Sequence, residues 1–423
     1  MDHFRPIYIF MLVIVLAISA CTSKTAAPPP AASPTSLPTS TSVPTETPTS
    51  EPTLQPTIFP SPEVTSTQSS GSLQLPIGFA VFAPSGGSAF YYDLQGQPLI
   101  ELQAANLGIG PNDQAAVAGP LTGSPTSSIP PLIYYVFENG GELWQTAGES
   151  NAVIRAAPNL LNIISAAGKP ILSFSLLEYT DAGLLSRVFL SDLQTLPTAE
   201  AIFNTTNSQN FAIESIAIAV KDDQPVGLWY TTVPYGIGGN IVFEPRQSLT
   251  FLDLTNFQMN TYLDTTKAPV GISIDQSWFA YTQAGGSGPL RIINNFDPST
   301  IVSFSLKEGS NRGAGNAIFS PGNQYVAWKE ASDADGNGTL LQTIRIGSLD
   351  GTLVSEIQDT ALLGASGLEE AGWVVPVAWL DAQTLALEVR NPTGENSSIL
   401  SAKYDGTGVA YLAPGSFIGL LYP

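Results

Sequence analysis

The chain has 423 residues and a formal net charge of −20 at pH 7, from 35 acidic and 15 basic side chains. This balance excludes a nucleic-acid-binding surface, which needs an excess of basic residues against the phosphate backbone. His3 and Cys21 are the single histidine and the single cysteine, so the rest of the chain cannot form Ser-His-Asp or Cys-His catalytic groups, histidine or cysteine zinc sites, histidine-bound haem or disulfide bonds.

An apolar run from Ile7 to Ala20 follows the basic residue Arg5. Its 14 residues are too few for a membrane-spanning helix, which needs about 20, but suit the core of a signal peptide. Ile18-Ser19-Ala20 directly precede Cys21, and this arrangement resembles the lipobox of bacterial lipoproteins. The resemblance implies that residues 1–20 are removed and that the Cys21 thiol carries a diacylglycerol whose acyl chains insert into the membrane lipid. An unlipidated secretory signal is the alternative.

The segment after Cys21 is rich in threonine, serine and proline. From Thr22 to Leu73 there are 11 Pro and 23 Ser or Thr in 52 residues. Such a segment cannot bury enough apolar surface to offset the entropy lost on ordering. We therefore expect residues 21–73 to form a disordered, polyproline-biased linker.

From residue 74 onward, short runs of β-branched and aromatic residues alternate with clusters of Gly, Asn, Asp and Pro. This pattern is typical of strands joined by tight turns. Residues 74–423 are numerous enough to build a core without disulfide bonds. The sequence therefore predicts one all-β domain over 74–423.

A nine-residue segment recurs along this domain. Its clearest copies are SIDQSWFAY at 273–281, SPGNQYVAW at 320–328 and WLDAQTLAL at 379–387. Three weaker copies begin at Gly110, Ser165 and Val220. The six starts are 55, 55, 53, 47 and 59 residues apart, which is the length of a four-stranded propeller blade with its loops.

These copies resemble the repeat of TolB-like propellers, in which a Ser-Pro-Asp-Gly turn precedes an Ile-Ala-aromatic strand. Residues 320–323 replace that turn and 325–328 that strand; the signature Asp is missing at Gly322 but present at Asp275 and Asp381. A second shared feature is a turn of the type Asp-Leu-x-Gly before the outer strand, found at 93–96, 192–194, 253–255 and 349–351. The resemblance implies a β-propeller over most of residues 77–423.

The two ends of the domain suggest how the ring closes. Residues 77–103 supply strands before the first clear copy, and Phe417–Tyr422 form one more apolar strand after the last. We expect this C-terminal strand to pair with the N-terminal segment, because closure removes exposed sheet edges. That arrangement gives seven blades, with six as the alternative.

Residues 333–339, DADGNGT, are a candidate calcium loop. Asp333, Asp335 and Asn337 have the 1, 3, 5 spacing of oxygen ligands, and the Thr339 carbonyl stands at position 7. The loop departs from an EF-hand because Ile344 replaces the bidentate Glu. A polar hairpin turn is the alternative, since Asp-Gly and Asn-Gly favour turns. Calcium is the one cofactor that the sequence suggests, and none is required.

We expect an extracytoplasmic, membrane-anchored lipoprotein whose propeller binds a protein, peptide or glycan, or acts as a scaffold. TolB-like proteins act in envelope complexes, so the resemblance implies such a role. The three longest loops, 119–131, 233–245 and 362–373, are expected to carry specificity.

The alternative is a histidine-free carbohydrate-active enzyme with two carboxylates about 5 to 9.5 Å apart. Candidate carboxylates near the repeat turns are Asp222, Asp223, Asp275 and Asp381. Their spacing in phase with the repeat favours turn capping. The six tryptophans also fall mostly once per blade, and we interpret them as core between blades rather than as sugar-stacking aromatics.

Overall fold

The computed structural model describes residues 74–83, 87–103, 114–121, 130–137, 140–147, 150–236, 243, 245–285, 288–307, 312–333 and 340–423. All of them lie in the unit Val64–Pro423. Their strands form seven antiparallel sheets of four strands each. The signal peptide, Cys21 and the linker that the sequence predicts lie outside the described residues.

Each sheet is one blade, in which four strands follow one another from the innermost to the outermost. Blade 1 contains β28 (Ser416–Leu421), β1 (Gly78–Phe82), β2 (Ser88–Asp93) and β3 (Pro98–Gln103). Blade 2 contains β4 (Ala115–Val117), β5 (Leu132–Val136), β6 (Glu142–Ala147) and β7 (Ser150–Ala156). Blade 3 contains β8 (Leu160–Ser165), β9 (Ile171–Thr180), β10 (Gly183–Asp192) and β11 (Phe203–Asn207).

The remaining blades follow the same order along the chain. Blade 4 contains β12 (Phe211–Lys221), β13 (Gln224–Pro234), β14 (Gln247–Asp253) and β15 (Met259–Leu263). Blade 5 contains β16 (Lys267–Ile272), β17 (Trp278–Gln283), β18 (Leu290–Asn294) and β19 (Ile301–Phe304). Blade 6 contains β20 (Arg312–Phe319), β21 (Tyr325–Asp333), β22 (Leu340–Ser348) and β23 (Leu353–Gln358). Blade 7 contains β24 (Trp373–Trp379), β25 (Thr384–Arg390), β26 (Ser397–Lys403) and β27 (Ala410–Pro414).

At most junctions of the ring the first strands of neighbouring blades contact one another, which places these strands at a central channel. A 3₁₀ helix, Leu196–Thr198, lies within blade 3, and helix α1, Asp359–Ser366, joins blades 6 and 7. The predicted all-β propeller with seven blades is confirmed, and the six-bladed alternative is wrong.

The C-terminal strand closes the ring as the sequence predicts. Strand β28 pairs antiparallel with β1, from Gly78 opposite Leu421 to Phe82 opposite Ser416. The side chain of Leu421 is fully buried. Both ends of the domain therefore belong to one blade, so closure depends on pairing between the first and last strands of the domain.

Tryptophans lie at several junctions between blades. Trp229 of blade 4 packs against Phe279 of blade 5, with ring centroids 4.7 Å apart, and Trp328 of blade 6 packs against Phe304 of blade 5 at 4.8 Å. Both indoles are at most 3% exposed. Burial of large aromatic surface is a major source of stability in such junctions. The interpretation of these two tryptophans as inter-blade core is confirmed.

Antiparallel order within each blade gives the propeller two different faces. The turn face carries the hairpins between strands 1 and 2 and between strands 3 and 4. The mouth face carries the connections between strands 2 and 3 and between successive blades. Five repeat copies supply the first hairpin of blades 3 to 7, and the Asp-Leu turns are hairpins between the third and fourth strands.

The copy beginning at Gly110 does not follow this rule. Its apolar residues form β4, the innermost strand of blade 2, rather than a second strand. The connection between the first two strands of blade 2 runs instead through residues 118–131. An apolar strand does follow the predicted Gly110 turn segment, but it takes the first place in its blade and is out of phase with the other five copies.

Candidate binding site at the channel mouth

A pairing irregularity recurs in the innermost strands of six blades. It lies at 161–162 in β8, 216 in β12, 270 in β16, 316–317 in β20, 377 in β24 and 418 in β28. At each place the innermost strand has one residue more than its partner. A β-bulge of this kind bends the strand and re-aims its side chains. The bulges therefore shape the wall of the channel.

A cavity of about 720 Å³ opens at the mouth face and extends into the channel. It is lined by bulge residues and by the ends of second strands. Its apolar lining includes Phe82, Leu161, Ile163, Ile216, Val233, Val270, Phe417 and Ile418. Polar side chains share the lining with these apolar ones, and a cavity of this size that combines apolar walls with polar groups is typical of ligand-binding sites.

The charged groups at the cavity are held in ion pairs. Arg246 donates from Nε and Nη2 to the two carboxylate oxygens of Glu214, at 2.8 and 2.6 Å. Arg390 donates from Nε to Glu388 at 2.7 Å, and the Glu388 side chain is 2% exposed. A bidentate pair fixes the orientation of both side chains. These ion pairs therefore provide polar groups of fixed orientation at the mouth without a large local net charge.

Two amide side chains connect the innermost strands of blades 2 to 4. The Nε2 atom of Gln114 donates to the carbonyl of Leu161, and the Nδ2 atom of Asn162 donates to the carbonyl of Ser215 at 2.6 Å. Both amides line the cavity. They cross from one blade to the next, so they fix the wall on this side of the mouth.

The blade 6 side of the mouth is filled. Phe243, from the connection between β13 and β14, packs so closely against Gly315 of β20 that a Cβ atom on this glycine would overlap the phenyl ring. The adjacent Lys329, opposite Gly315 in the sheet, is fully buried. Burial lowers the pKa of the Lys329 amine to about 6. The contact between Phe243 and Gly315 and the buried Lys329 thus fill the part of the mouth beside blade 6, which we call the blade 6 sector.

A buried charge network lies beside the blade 6 sector. Glu330 accepts hydrogen bonds from Nε of Arg312 at 2.7 Å and from Nη1 of Arg345 at 2.6 Å. The carboxylate is fully buried, and the two arginine side chains are less than 10% exposed. Paired charges of this kind are costly to separate. The network joins strands β20, β21 and β22.

The candidate calcium loop joins β21 and β22 at the mouth face. Asp335, Asn337 and Thr339 lie outside the described residues, as does the side chain of Asp333, whose backbone ends β21. The flanking strands pair as the hairpin interpretation requires, with Asp333 opposite Leu340. Within the described ranges, no three His, Cys, Asp or Glu residues cluster as metal ligands. Calcium binding stays a prediction.

The candidate catalytic carboxylates lie in hairpins of the turn face. Asp381 accepts backbone hydrogen bonds from Gln383 and Thr384, each at 2.7 Å. Burial alone would raise the pKa of Asp381, but these hydrogen bonds hold it below the usual value. Asp275 caps its own turn through the backbone N–H of Ser277. Asp222 and Asp223 occupy the β12–β13 turn with positive φ. These contacts agree with turn capping.

The three long loops do not share one face. The connection 119–131 lies between the first two strands of blade 2, hence at the turn face, whereas 233–245 and 362–373 lie at the mouth face. Sequence reasoning identified the loop that supplies Tyr235, Phe243 and Pro245, but not Gln114, Asn162 or Lys329. No motif marks these residues, because contacts between blades bring them to the mouth.

Comparisons with known proteins give structural matches alone. No protein-family model matches the chain, and no curated protein matches it significantly. Similar solved structures include TolB from Acinetobacter baumannii, at 16% identity over 67% of this chain and 63% of that chain, with a TM-score of 0.39. A putative TolB from Agrobacterium tumefaciens matches at 13% identity over 64% and 86%, with a TM-score of 0.36.

A third similar structure is the acylaminoacyl peptidase of Pyrococcus horikoshii, at 11% identity over 77% of this chain and 47% of that chain, with a TM-score of 0.45. The chain spans less than two thirds of the Acinetobacter TolB and less than half of the peptidase. The propeller assignment rests on the strand order of this chain. Among the described residues, no helix has the length and apolar character needed to cross a membrane.

Proposed function

We propose that this propeller is a binding module that holds a peptide segment of a partner protein at the channel mouth. The observation that carries the proposal is the cavity of about 720 Å³, whose walls are apolar and polar in similar measure and whose charged groups are already paired. Apolar side chains of a peptide bury surface against such walls. The net charge of −20 favours a segment without net negative charge.

A peptide suits the lining better than a glycan. Glycan sites commonly offer tryptophan or tyrosine faces to sugar rings, whereas the described residues that line the cavity include neither type. A carbohydrate-active enzyme would need two converging carboxylates. Glu214 is the carboxylate among the described residues that line the cavity, and Arg246 holds it at both oxygens.

The course of the chain supports this proposal. Gln74, where the described domain begins, donates from Nε2 to the Pro423 carbonyl at 3.3 Å, beside the ends of β28 and β1 that face the turn side. The chain therefore enters on the face opposite the cavity. The first described residues therefore do not cover the cavity.

Paired arrays of linear peptides and of glycans test the proposal with the full chain in detergent. We expect binding to peptides that combine apolar residues with no net negative charge. Binding to glycans without binding to any peptide would contradict it. A control at 0.5 M NaCl separates apolar anchoring from long-range attraction, because salt screens the latter.

A further inference from the structure

An apolar strip runs from the cavity wall to the outer surface of blades 3 and 4. Leu161 and Val233 line the cavity, and both belong to one apolar cluster with Tyr235. The ring of Tyr235 lies 6.1 Å from that of Tyr179, centroid to centroid, at an interplanar angle of 43°. The strip is therefore continuous from inside the mouth to Tyr179.

The outer end of this strip presents aromatic surface to solvent. Tyr179 is 61% exposed at the end of β9, and Tyr235 is half-buried just after β13. Isolated exposed apolar residues are ordinary on protein surfaces. A pair of tyrosine rings that continues the wall of a cavity, unlike an isolated exposed residue, points to a binding surface, because tyrosine is enriched where proteins bind partners.

The charges around the two tyrosines favour a cation on their faces. Asp181 is exposed in the adjacent hairpin, and the nearby cation Arg187 is paired with Glu178 at 2.6 Å. The whole chain carries a net charge of −20. Aromatic faces attract Lys and Arg through the ring quadrupole. A basic side chain would therefore be attracted both by the faces of the two rings and by the negative potential of the chain.

The described residues on the opposite side of the mouth offer no such exit. Phe243 packs against Gly315, and the buried side chain of Lys329 lies opposite this glycine in the sheet. Among the described residues, the apolar strip over blades 3 and 4 gives a peptide in the cavity a continuous surface to follow.

We propose that the bound peptide leaves the cavity across Leu161 and Val233 and places a basic side chain on the rings of Tyr179 and Tyr235. This inference rests on the proposed function, and it adds the direction of the peptide and the class of its specificity residue. The tyrosine pair would select among peptides that the cavity alone accepts.

Calorimetry with the full chain tests the inference. The probe is the strongest peptide from the array that contains Arg or Lys, together with an analogue in which norleucine replaces that residue. We expect Tyr179→Ala to weaken binding of the basic peptide about 3- to 10-fold, and Tyr179→Phe to preserve it. The norleucine analogue should bind the unchanged chain weakly and be insensitive to Tyr179→Ala.

Tyr411→Ala is the matched control, because Tyr411 is 49% exposed on the outermost strand of blade 7. Tyr235→Ala provides a second variant of the pair. Equal affinities of the unchanged chain and Tyr179→Ala, with binding still lost in the cavity variant Ile216→Asp, would overturn this inference and leave the proposed function standing. A set of array binders without basic residues would overturn it in the same way, and absence of any peptide binding would overturn both.

Discussion

The Nζ atom of Lys329 lies 2.9 Å from the centroid of the Trp373 ring. This contact joins the second strand of blade 6 to the first residue of the first strand of blade 7. The side chain is fully buried, and Nζ has no hydrogen-bond partner among the described residues. Attraction between an ammonium and an indole is worth about 2 kcal/mol when desolvated. Burying an ammonium costs several kcal/mol, so desolvation dominates and the neutral amine is favoured.

Replacement of Lys329 should therefore change how stability depends on pH. In the unfolded chain the amine has its ordinary pKa of 10.5, and in the folded chain the pKa is about 6. Between these values the unfolded state binds the extra proton, so the free energy of unfolding falls as pH falls from 10.5 to 6. Below pH 6 the penalty is complete and constant.

We expect Lys329→Met to be more stable than the unchanged chain at pH 7. The gap in unfolding free energy should grow by about 1.4 kcal/mol for each unit that pH falls between 9 and 7. Urea denaturation across this range measures it, and exposed Lys221 gives the control Lys221→Met. Parallel curves for the unchanged chain and Lys329→Met would show that the lysine is not neutral in the fold.

The contact between Gly315 and Phe243 predicts that substitution by alanine has opposite effects on stability at Gly315 and at Gly364. A methyl group at Gly315 would overlap the Phe243 ring, so Gly315→Ala should destabilise the chain by about 1 to 3 kcal/mol. Gly364 lies in helix α1 with no described atom within 4 Å of its Cβ position, so Gly364→Ala should stabilise by about 0.5 to 1 kcal/mol.

A double-mutant cycle identifies the cause of the Gly315→Ala effect. Phe243→Leu should recover part of the loss when combined with Gly315→Ala, because it removes the overlapping ring. Strict additivity of the two changes, measured by urea denaturation, would mean that Phe243 does not occupy the blade 6 sector.

The burial of the Glu330 carboxylate predicts that the substitution Glu330→Gln, although small, strongly lowers the free energy of unfolding. Glu330→Gln keeps the shape of the side chain but removes the charge that Arg312 and Arg345 share. Breaking a buried pair in this way costs about 3 to 5 kcal/mol. The control is Glu178→Gln, whose ion pair with Arg187 is about half exposed and should cost at most about 1 kcal/mol. Similar losses of stability for Glu330→Gln and Glu178→Gln, measured by thermal melting, would contradict the burial of the network.

The lipobox-like sequence before Cys21 predicts that this residue is lipidated. The full chain produced in a bacterium that processes lipoproteins should carry a diacylglycerol at this residue and sediment with membranes. Cys21→Ser should lose the lipid and leave the membrane fraction, whereas Thr22→Ala should retain both. Mass spectrometry of the N-terminal peptide measures the modification. An unmodified Cys21 in membrane-bound chain would contradict the lipobox interpretation.

Much of the fold could be predicted because the blade repeat is local. A polar turn before an apolar strand, as at Ser320–Trp328, depends on residues close in sequence and is readable from their order. The pairing of Gly78 with Leu421 was also predictable, because a propeller must close its edges. Blade 2 was harder, because its first connection is long and β4 has three residues.

The mouth was less predictable than the fold. A bulge at Ile216 or Ile418 depends on one extra residue in one of two paired strands, and hydrophobic periodicity does not reveal it. The contact of Lys329 with Trp373 joins two blades, so neither local sequence signals it. The loop 233–245 was identified by its length, but its role comes from where Phe243 packs.

The affinity of an array-selected peptide for two isoleucine variants tests the central claim most directly. Ile216 lines the cavity at the mouth, and Ile274 is 45% exposed in a hairpin of the turn face. With melting temperatures confirming that both variants fold, calorimetry should show that Ile216→Asp lowers affinity at least about 10-fold, since a buried charge is placed against the peptide. Ile274→Asp should bind like the unchanged chain. Equal binding by Ile216→Asp, or loss confined to Ile274→Asp, would contradict a peptide site at the channel mouth.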